Sequence, residues 1–256
     1  MANALTQTTR LLALTLLLSV LAACGTAAPT AETADEATLT VSHTVVDSTA
    51  ATDSDMASLV APYRDEMQEE VERVIAHAPE ELREGRPEGR LGNLAADAML
   101  HHARQLAEEP VDMALTNNGG LRVPLGPGDI TVGAVYELMP FENRMVVLVL
   151  SGAEVETLAE QLVTQYGGEP IAGFSFAFDP DTDTVGNIRI GGTPMDPAAH
   201  YRLVTSDYLA DGGGPPMLEG LPREELPMLL RDAFITYFES MGTLTHEIEG
   251  RITPIE

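Results

Sequence analysis

The 256-residue sequence predicts an α+β (α/β layered) domain over residues 56–256, built from mixed sheets with flanking helices. Apolar residues at three- and four-residue intervals predict amphipathic helices over 56–78 and 91–107. The continuous apolar run at 145–150 is typical of a buried strand. Alternating phenylalanines from residue 174, followed by turn residues and a second apolar alternation to 190, predict a β-hairpin. Strands and helices interleave irregularly, which favours a mixed sheet.

Local residue chemistry predicts the remaining elements. Ser151 and Glu154 have the spacing of a capping box and begin a helix that the glycine pair 167–168 ends. The run at 223–239 has helical spacing despite Pro227. In chain order, the other predicted elements are a loop at 84–90, a strand at 111–116, a turn at 117–120, a loop at 123–129, a helix at 132–138, and strands at 201–205 and 248–253.

The first 23 residues are typical of a bacterial lipoprotein signal peptide. Arg10 precedes an apolar run at 11–23, which is shorter than the roughly 20 residues of a membrane-spanning helix. The run ends in Leu-Ala-Ala-Cys, which resembles a lipobox, and predicts lipidation of Cys24. An ordinary secretory signal and a buried structural cysteine are the alternatives. Because Cys24 is the only cysteine, its lipidation would leave no thiol for a disulfide, a metal site or a nucleophile.

Residues 24–55 predict a flexible acidic tether. They are mostly Ala, Thr, Ser, Asp and Glu, and such a composition buries too little apolar surface to offset its conformational entropy. The tether would hold the folded domain away from the membrane. The chain is therefore expected to be secreted and lipid-anchored in the bacterial cell envelope, on the periplasmic side or the cell surface.

The charge balance excludes several classes of partner. The chain has no lysine, 14 basic residues that are all arginine, and 40 acidic residues, so its formal net charge is −26. A surface of this kind repels nucleic acid and anionic lipid. Acidic residues are spread through the folded part as well as the tether, which favours a halophilic source over a charged tether alone, because concentrated salt screens the self-repulsion.

The histidines do not predict a metal site. His101 and His102 are adjacent, so they point about 100° apart on a helix and cannot chelate one ion together. The sequence contains neither an Asp-x-His nor a Gly-Asn-His motif. Hydrolases of phosphate esters usually hold a metal pair on several converging ligands. We therefore expect no catalytic residue, metal or cofactor in this chain.

Four segments in a fixed order resemble the C-terminal domain of the 5'-nucleotidases, and the resemblance covers essentially all of 56–256. An arginine-bearing loop leads into the first segment. The segments are LGNL (91–94), TNNGGLR (116–122), GDITVGAVYELMPFEN (128–143) and SDYLADGGG (206–214). The resemblance implies a fold like that domain and a role in binding nucleotide substrates. It also implies that the metal-bearing domain that performs hydrolysis is a separate unit.

The resemblance implies specific binding roles. Phe141 and Tyr208 match two rings that clamp a nucleobase, and stacking a base on an aromatic ring is worth about 1–3 kcal/mol. Asn117 matches a residue that hydrogen-bonds the base, and Asn143 a polar neighbour of the first ring. Arg122 matches an arginine on the phosphate or ribose side, where a guanidinium suits phosphate oxygens.

Three further positions are implied with a less certain register. Arg86 and Arg90 are the candidate additional arginines, although an ungapped alignment of LGNL places Gly85 at the first arginine position. The family pattern ends in Gly-Gly-Asp-Gly, whereas this chain has Gly214 at the position of the Asp that accepts from ribose hydroxyls. Asp211, three residues earlier, is the candidate substitute.

The sequence thus predicts the nucleotide-recognition component of a cell-envelope 5'-nucleotidase, which takes part in nucleotide catabolism together with a separate metallophosphatase subunit. A divalent metal is expected only in that subunit, and the chain is not expected to be active alone. The alternative is a nucleotide- or nucleoside-binding lipoprotein for scavenging or sensing, without catalysis. A degenerate domain that keeps the fold and has lost the ligand is a third possibility.

Overall fold

Three β-sheets and five α-helices make up residues 53–255, the part of the chain that the computed structural model describes. The helices are α1 (Ser54–Val71), α2 (Arg90–Leu106), α3 (Val132–Leu138), α4 (Gly152–Thr164) and α5 (Leu230–Met241). The strands are β1 (Val74–Ala78), β2 (Met113–Leu115), β3 (Gly128–Thr131), β4 (Arg144–Ser151), β5 (Ile171–Ala172), β6 (Phe174–Asp179), β7 (Thr184–Ile190), β8 (Thr193–Pro194), β9 (His200–Ser206), β10 (Arg223–Leu229) and β11 (Ile252–Pro254). Short helical turns lie at Asn118–Gly120, Leu209–Gly213 and Pro216–Leu218.

The central sheet has the strand order β10-β4-β9-β2-β5. Strands β2 and β9 are parallel, whereas β4 is antiparallel to β9 and β10 is antiparallel to β4. A second sheet, in the order β11-β6-β7-β8, joins the parallel pair β11–β6 to the antiparallel hairpin β6–β7. Strands β1 and β3 form a separate antiparallel pair. The predicted mixed-sheet architecture is confirmed.

The core has two layers, one on each face of the central sheet. Along β4, Val147 contacts the layer that contains the α2 residues and Phe234 of α5. Its neighbours Val146 and Leu148 contact the opposite layer, which contains α4 and the hairpin β6–β7. Successive side chains of a strand point to opposite faces, so an uninterrupted apolar run is what a strand between two layers requires. The predicted strand at 145–150 is confirmed and is buried except at Val149, which is 46% exposed.

Several local predictions are also confirmed. Ser151 and Glu154 form the predicted capping box, in which the Ser151 backbone N–H donates to the Glu154 carboxylate at 2.7 Å. Helix α3 has the predicted bounds, and α2 begins one residue before its predicted start. The phenylalanine-rich hairpin is β6–β7.

The predicted helix over 56–78 is wrong beyond Val71. Residues 74–78 form β1, which pairs with β3 so that Ala76 faces Ile130. The apolar residues between 71 and 78 satisfy helical spacing, and a short apolar run does not distinguish a helix from a strand. The pairing with β3 makes residues 74–78 a strand. Local spacing does not reveal this partner, because the sequence of residues 123–129 predicts a loop. That loop ends at residue 127, where β3 begins with Gly128.

The predicted helix over 223–239 is wrong in its first half. Residues 223–229 form β10, the edge strand beside β4, and α5 begins only at Leu230. Pro227 cannot donate a backbone hydrogen bond and clashes with the preceding helical turn, whereas an edge strand tolerates proline. The closing strand, predicted over 248–253, is restricted to β11 at Ile252–Pro254.

The predicted signal peptide (1–23), the lipidation of Cys24 and all but the last three residues of the predicted tether (24–55) lie outside the described residues. The tether prediction extends slightly too far, because α1 starts at Ser54 with Asp53 as its N-cap. Within residues 53–255, none of the helices is both long enough and apolar enough to cross a membrane.

Candidate functional site

A cleft of about 380 Å³ lies at one edge of the central sheet. Strands β2 and β9 are parallel and β4 is antiparallel to β9, so the carboxyl ends of β2 and β9 meet the amino end of β4 at the same edge. The loops at these strand ends supply the whole lining. The lining residues are Asn117, Gly119, Gly120, Arg122, Phe141, Asn143 and Tyr208.

The cleft unites five residues that the sequence predicts as binding residues, namely Asn117, Arg122, Phe141, Asn143 and Tyr208. They come from three segments that are far apart in the chain. Their convergence follows from the strand directions, because each segment directly adjoins a strand end at that edge.

Two aromatic side chains are exposed in this cleft. Phe141 is 39% exposed and Tyr208 is 52% exposed, although both line a concave surface. The loop that carries Phe141 is held by the start of α5: the Leu230 N–H donates to the Asn143 carbonyl at 2.8 Å, and Arg231 donates to the Phe141 carbonyl at 3.4 Å. The Arg231 guanidinium lies 4.1 Å from the centre of the Tyr136 ring. This cation–π contact holds the guanidinium in place as a hydrogen-bond donor to Phe141.

Gly213 positions the second ring. A Cβ atom at residue 213 would lie 2.4 Å from Cζ of Tyr208 and 2.5 Å from both Cε atoms, so the ring lies directly against the glycine. The preceding residue, Gly212, has φ +98°, a conformation that favours glycine. The Gly212-Gly213-Gly214 segment therefore supports Tyr208.

Substitution of Gly213 by alanine is expected to displace the Tyr208 ring. If that ring stacks on a base, the affinity for adenosine should fall about five- to hundredfold, as for removal of one stacking ring. Isothermal titration calorimetry measures this. Gly126→Ala is the matched control, because no described atom lies within 4 Å of a Cβ atom at residue 126. An unchanged affinity in Gly213→Ala would show that the position of the ring is unimportant.

The turn after β2 orients Asn117 and Arg122. A Cβ atom at Gly120 would lie 3.1 Å from Oδ1 of Asn117, so the absence of a side chain there leaves room for the amide. Arg122 Nη1 donates to the Gly119 carbonyl at 2.9 Å, and the Arg122 N–H donates to the Leu138 carbonyl at 2.9 Å. The remaining guanidinium N–H groups are available to a ligand.

Arg122 supplies the positive charge of the cleft. Among the described residues, no carboxylate forms a salt bridge with it. In a chain of net charge −26, a guanidinium that pairs with none of these carboxylates is a local site of attraction for an anion.

Arg86 lies beside the cleft. Its Nη1 donates to the carbonyls of Tyr166 at 2.8 Å and Gly168 at 3.1 Å, and its Nη2 lies 3.5 Å from the Glu169 carboxylate. Arg86 lines a smaller cavity of about 140 Å³, which shares Asn117 and Gly119 with the cleft.

Arg90 and Asp211 do not line the cleft. Arg90 donates to the His246 carbonyl at 2.6 Å and forms ion pairs with Glu80 and Glu247 at 2.9 and 3.0 Å, so it ties the C-terminal segment to α2. Asp211 accepts from Arg223 at 2.7 Å. The structure thus gives both residues partners within the domain.

Glu169 lines the cavity that adjoins the cleft and was not predicted as a binding residue from the sequence. It is 6% exposed, lines the 140 Å³ cavity and accepts from the Asn118 N–H at 2.6 Å. Burial raises the pKa of its carboxyl above the ordinary glutamate value, and the hydrogen bond from Asn118 and the charge of Arg86 only partly oppose that rise. Its sequence context, Gly-Gly-Glu-Pro, predicts only a turn after a helix.

The histidines in the described part of the chain are not arranged as metal ligands. The rings of His101 and His102 are perpendicular, with centroids 5.0 Å apart. Between residues 53 and 255, no group of three or more His, Cys, Asp or Glu side chains is arranged to hold a metal ion.

Comparison with known proteins places this cleft in a family. A sequence model of the 5'-nucleotidase, C-terminal domain, matches residues 73–220, which include every lining residue of the cleft. The chain belongs to the 5'-nucleotidase C-terminal domain family. The family resemblance in the four sequence segments is therefore confirmed.

Relatives of this 5'-nucleotidase C-terminal domain include a nucleotide phosphoesterase and a cell wall protein. The trifunctional nucleotide phosphoesterase protein YfkN of Bacillus subtilis (strain 168) is 29% identical over 184 residues, 66% of this chain and 12% of YfkN. The cell wall protein Lmo0130 of Listeria monocytogenes serovar 1/2a is 33% identical over 140 residues, 49% of this chain and 18% of Lmo0130.

A solved structure shares both fold and sequence with the domain. The crystal structure of the 5'-nucleotidase precursor from Thermus thermophilus superposes with a TM-score of 0.68 and 30% identity, over 77% of this chain and 42% of that chain. This 5'-nucleotidase C-terminal domain thus spans less than half the length of each of these relatives.

Proposed function

We propose that the cleft binds a nucleoside or nucleotide, with the base between Phe141 and Tyr208. The observation that carries the proposal is the presence, in one 380 Å³ cleft, of two exposed rings and an arginine that no described carboxylate pairs with. Exposed aromatic rings in a concave surface lose their contact with water when a flat ring enters. Stacking of a base is worth about 1–3 kcal/mol per ring and tolerates different bases.

The polar residues of the cleft fix the orientation of the ligand in this proposal. The Asn117 amide offers both a donor and an acceptor to the edge of the base, and Asn143 lies beside the first ring. Arg122 binds the phosphate or ribose side through the N–H groups that its bond to the Gly119 carbonyl leaves available. Arg86 adds a second guanidinium beside Asn117.

We further propose that this domain recognises the substrate for a separate metallophosphatase subunit, which hydrolyses the phosphate ester with its own divalent metal. Two observations support this division. The family is named as a C-terminal domain, and between residues 53 and 255 no group of three or more His, Cys, Asp or Glu side chains is arranged to hold a metal ion. In such a division one unit holds the base and sugar, while a metal-activated water on the other attacks phosphorus. The pure chain would then bind and not hydrolyse.

An exposed apolar stripe on α1 supports the presence of a protein partner. Met56, Leu59, Tyr63 and Met67 recur at three- and four-residue intervals on one face of α1, and all four are exposed. A contiguous apolar patch of this kind is typical of a protein–protein interface. Acidic residues accompany the stripe, so two copies of this chain would repel one another there.

The proposed location is the bacterial cell envelope, with a lipid on Cys24. The motif around Cys24 supports the anchor, and the cell wall protein Lmo0130 is a relative whose name states such a location. Metabolic labelling with a fatty-acid analogue, compared between the wild type and Cys24→Ala, tests the anchor directly.

The role of Arg122 is tested by comparison of AMP with adenosine. Arg122→Ala should lower the affinity for AMP about ten- to hundredfold, because a hydrogen bond to a charged group contributes roughly 1.5–3 kcal/mol. The affinity for adenosine should change less than about threefold, since adenosine carries no phosphate. Arg144→Ala is the control, because Arg144 is exposed and does not line the cleft.

The same titrations test the whole proposal. Wild-type protein should bind AMP and release no phosphate, with or without divalent metal. Absence of binding heat for AMP, adenosine and UDP-sugars would contradict the binding proposal. Metal-dependent phosphate release by the pure chain would contradict the proposed separate catalytic subunit.

A further inference from the structure

The side cavity next to the cleft contains polar groups that the proposed base and phosphate contacts do not use. It measures about 140 Å³ and shares Asn117 and Gly119 with the cleft, so the two spaces adjoin. At roughly 30 Å³ for each water-sized group, it has room for about four or five such groups. It is therefore large enough for a small polar substituent and too small for a second ring system with its own phosphate.

Glu169 is the acidic group of this cavity, which it lines together with Arg86. Its Oε2 accepts from the Asn118 N–H at 2.6 Å, and its Oε1 lies 3.5 Å from Nη2 of Arg86. An ionised carboxylate can accept about four hydrogen bonds. Of these acceptor positions, the Asn118 N–H fills one at short distance, and Arg86 fills a second only weakly. A carboxylate that is 6% exposed costs free energy unless its acceptor positions are filled. Glu169 therefore has acceptor capacity that a ligand in the cavity would use.

Thr116 provides a second, independent sign of a ligand. Thr116 lines the same cavity and is 0% exposed, and its Oγ1 has no hydrogen-bond partner among residues 53–255. A buried hydroxyl without a partner costs about 1–3 kcal/mol. Such groups are rare in folded proteins, and Thr116, unlike the equally unpaired Thr205, lies beside a cavity in which a ligand would supply the missing partner.

The chemistry of these groups selects a neutral ligand group that donates hydrogen bonds. The carboxylate accepts only, and Arg86 already offsets part of its charge, so a ligand cation is not required. Two vicinal hydroxyls present two O–H donors side by side, which matches the two oxygens of one carboxylate. An acidic side chain on ribose hydroxyls is a general solution in nucleotide-binding proteins.

The position of the cavity also fits a sugar. Gly213 lines the cavity and lies against the Tyr208 ring, so the cavity runs along the edge of the proposed base clamp. A sugar is joined to its base at such an edge. Gly214, which stands where the family resemblance expects an Asp, lines the same cavity, so Glu169 brings a carboxylate to this space from a different segment of the chain.

We propose that the side cavity is the sugar subsite, in which Glu169 accepts hydrogen bonds from the two vicinal hydroxyls of a ribose and Thr116 is a neighbouring partner. This inference rests on the proposed nucleoside binding in the cleft, and it names the part of the ligand that a deoxy sugar would lack.

Calorimetry with adenosine and 2',3'-dideoxyadenosine tests the subsite. The wild type should bind adenosine at least about tenfold more tightly, because the dideoxy sugar leaves the buried carboxylate without its donors. Glu169→Gln keeps the size of the side chain and an acceptor for the Asn118 N–H. It should lower adenosine affinity about tenfold and leave dideoxyadenosine affinity within about threefold.

Thr116→Val has a matched control in Thr205→Val. Both threonines are 0% exposed, and the Oγ1 of each lacks a partner among the described residues, but only Thr116 lines the cavity. Thr116→Val should weaken adenosine binding several-fold, whereas Thr205→Val should not. Because neither hydroxyl is hydrogen-bonded within residues 53–255, neither substitution should lower the free energy of unfolding appreciably.

The remaining outcomes separate this subsite from the proposed function. Equal affinity of the wild type for adenosine and its dideoxy form overturns the sugar subsite and leaves nucleoside binding intact. Absence of binding for both ligands overturns nucleoside binding, and the subsite with it. If Glu169→Gln weakens both ligands equally, Glu169 supports the fold and not the sugar. If Glu169→Gln instead removes a preference for adenosine over inosine, Glu169 contacts the base, which also overturns the proposal.

Discussion

Joint replacement of Phe141 and Tyr208 by alanine is expected to lower the affinity for adenosine about 30-fold to 10,000-fold. Each ring should contribute roughly 1–3 kcal/mol of stacking, and every 1.4 kcal/mol is about a tenfold change in affinity. Each single substitution should therefore cost about five- to hundredfold. Isothermal titration calorimetry with adenosine measures all three variants on one scale.

The stability of these variants distinguishes a binding role from a core role. Phe141 and Tyr208 are substantially exposed, so neither alanine should lower the free energy of unfolding by more than about 1 kcal/mol, whereas loss of a core phenylalanine costs about 3–5 kcal/mol. Tyr63→Ala is the control for removal of an exposed ring, because Tyr63 lies on α1 and does not line the cleft. A large loss of stability with unchanged affinity would contradict the binding role of Phe141.

Replacement of Arg251 by methionine is expected to lower the free energy of unfolding by about 3–5 kcal/mol. Arg251 is 8% exposed and donates to both carboxylate oxygens of Asp97 at 2.9 and 2.8 Å, to Glu249, and to the Ile171 carbonyl at 2.7 Å. These contacts join the C-terminal segment to α2 and β5. Methionine would fill much of the volume but leave the partly buried Asp97 carboxylate without its bidentate partner, with only His246 still in contact at 3.3 Å.

Urea unfolding followed by circular dichroism measures this effect, since the chain has no tryptophan. Arg83→Met is the matched control, because Arg83 pairs with Glu81 at the surface, and an exposed ion pair contributes only about 0–1 kcal/mol. If Arg251→Met costs no more than Arg83→Met, the network around Arg251 does not stabilise the fold.

Replacement of Arg251 should also change how the free energy of unfolding falls at acid pH. Burial opposes ionisation of Asp97, but hydrogen bonds from His246 and Arg251 outweigh burial and lower the pKa of Asp97 below its ordinary value. Ionised Asp97 therefore adds to the free energy of unfolding at pH values above its unfolded-state pKa. This contribution disappears as the pH falls through the lower pKa that Asp97 has in the folded state. Arg251→Met removes the part of this contribution that Arg251 supplies and leaves the His246 contact, so the stability of the variant should depend less steeply on acid.

The sequence named five residues that the structure brings together in the cleft, but it mispredicted parts of the fold. Turn residues at 117–120 and the loop before Asn143 follow from local chemistry, and strand order then brings them to one edge. The strands β1 and β10 were predicted as helices because the partner of a strand is a distant segment that local spacing does not reveal.

The position of individual charged residues was harder to predict for the same reason. Arg90 has its partners in His246 and Glu247, more than 150 positions away along the chain. Glu169 accepts a hydrogen bond from the Asn118 N–H, 51 positions away along the chain. Neither partnership leaves a local pattern, so the sequence could name the arginines of the loop but not which of them would reach the cleft.

A crystal structure of the chain with AMP tests the central claim most directly. We expect the adenine ring between Phe141 and Tyr208, with the phosphate on the side of Arg122 and the ribose hydroxyls toward Glu169. An adenine bound elsewhere on the domain, or a cleft without AMP in crystals grown at concentrations that saturate binding in solution, would contradict the account.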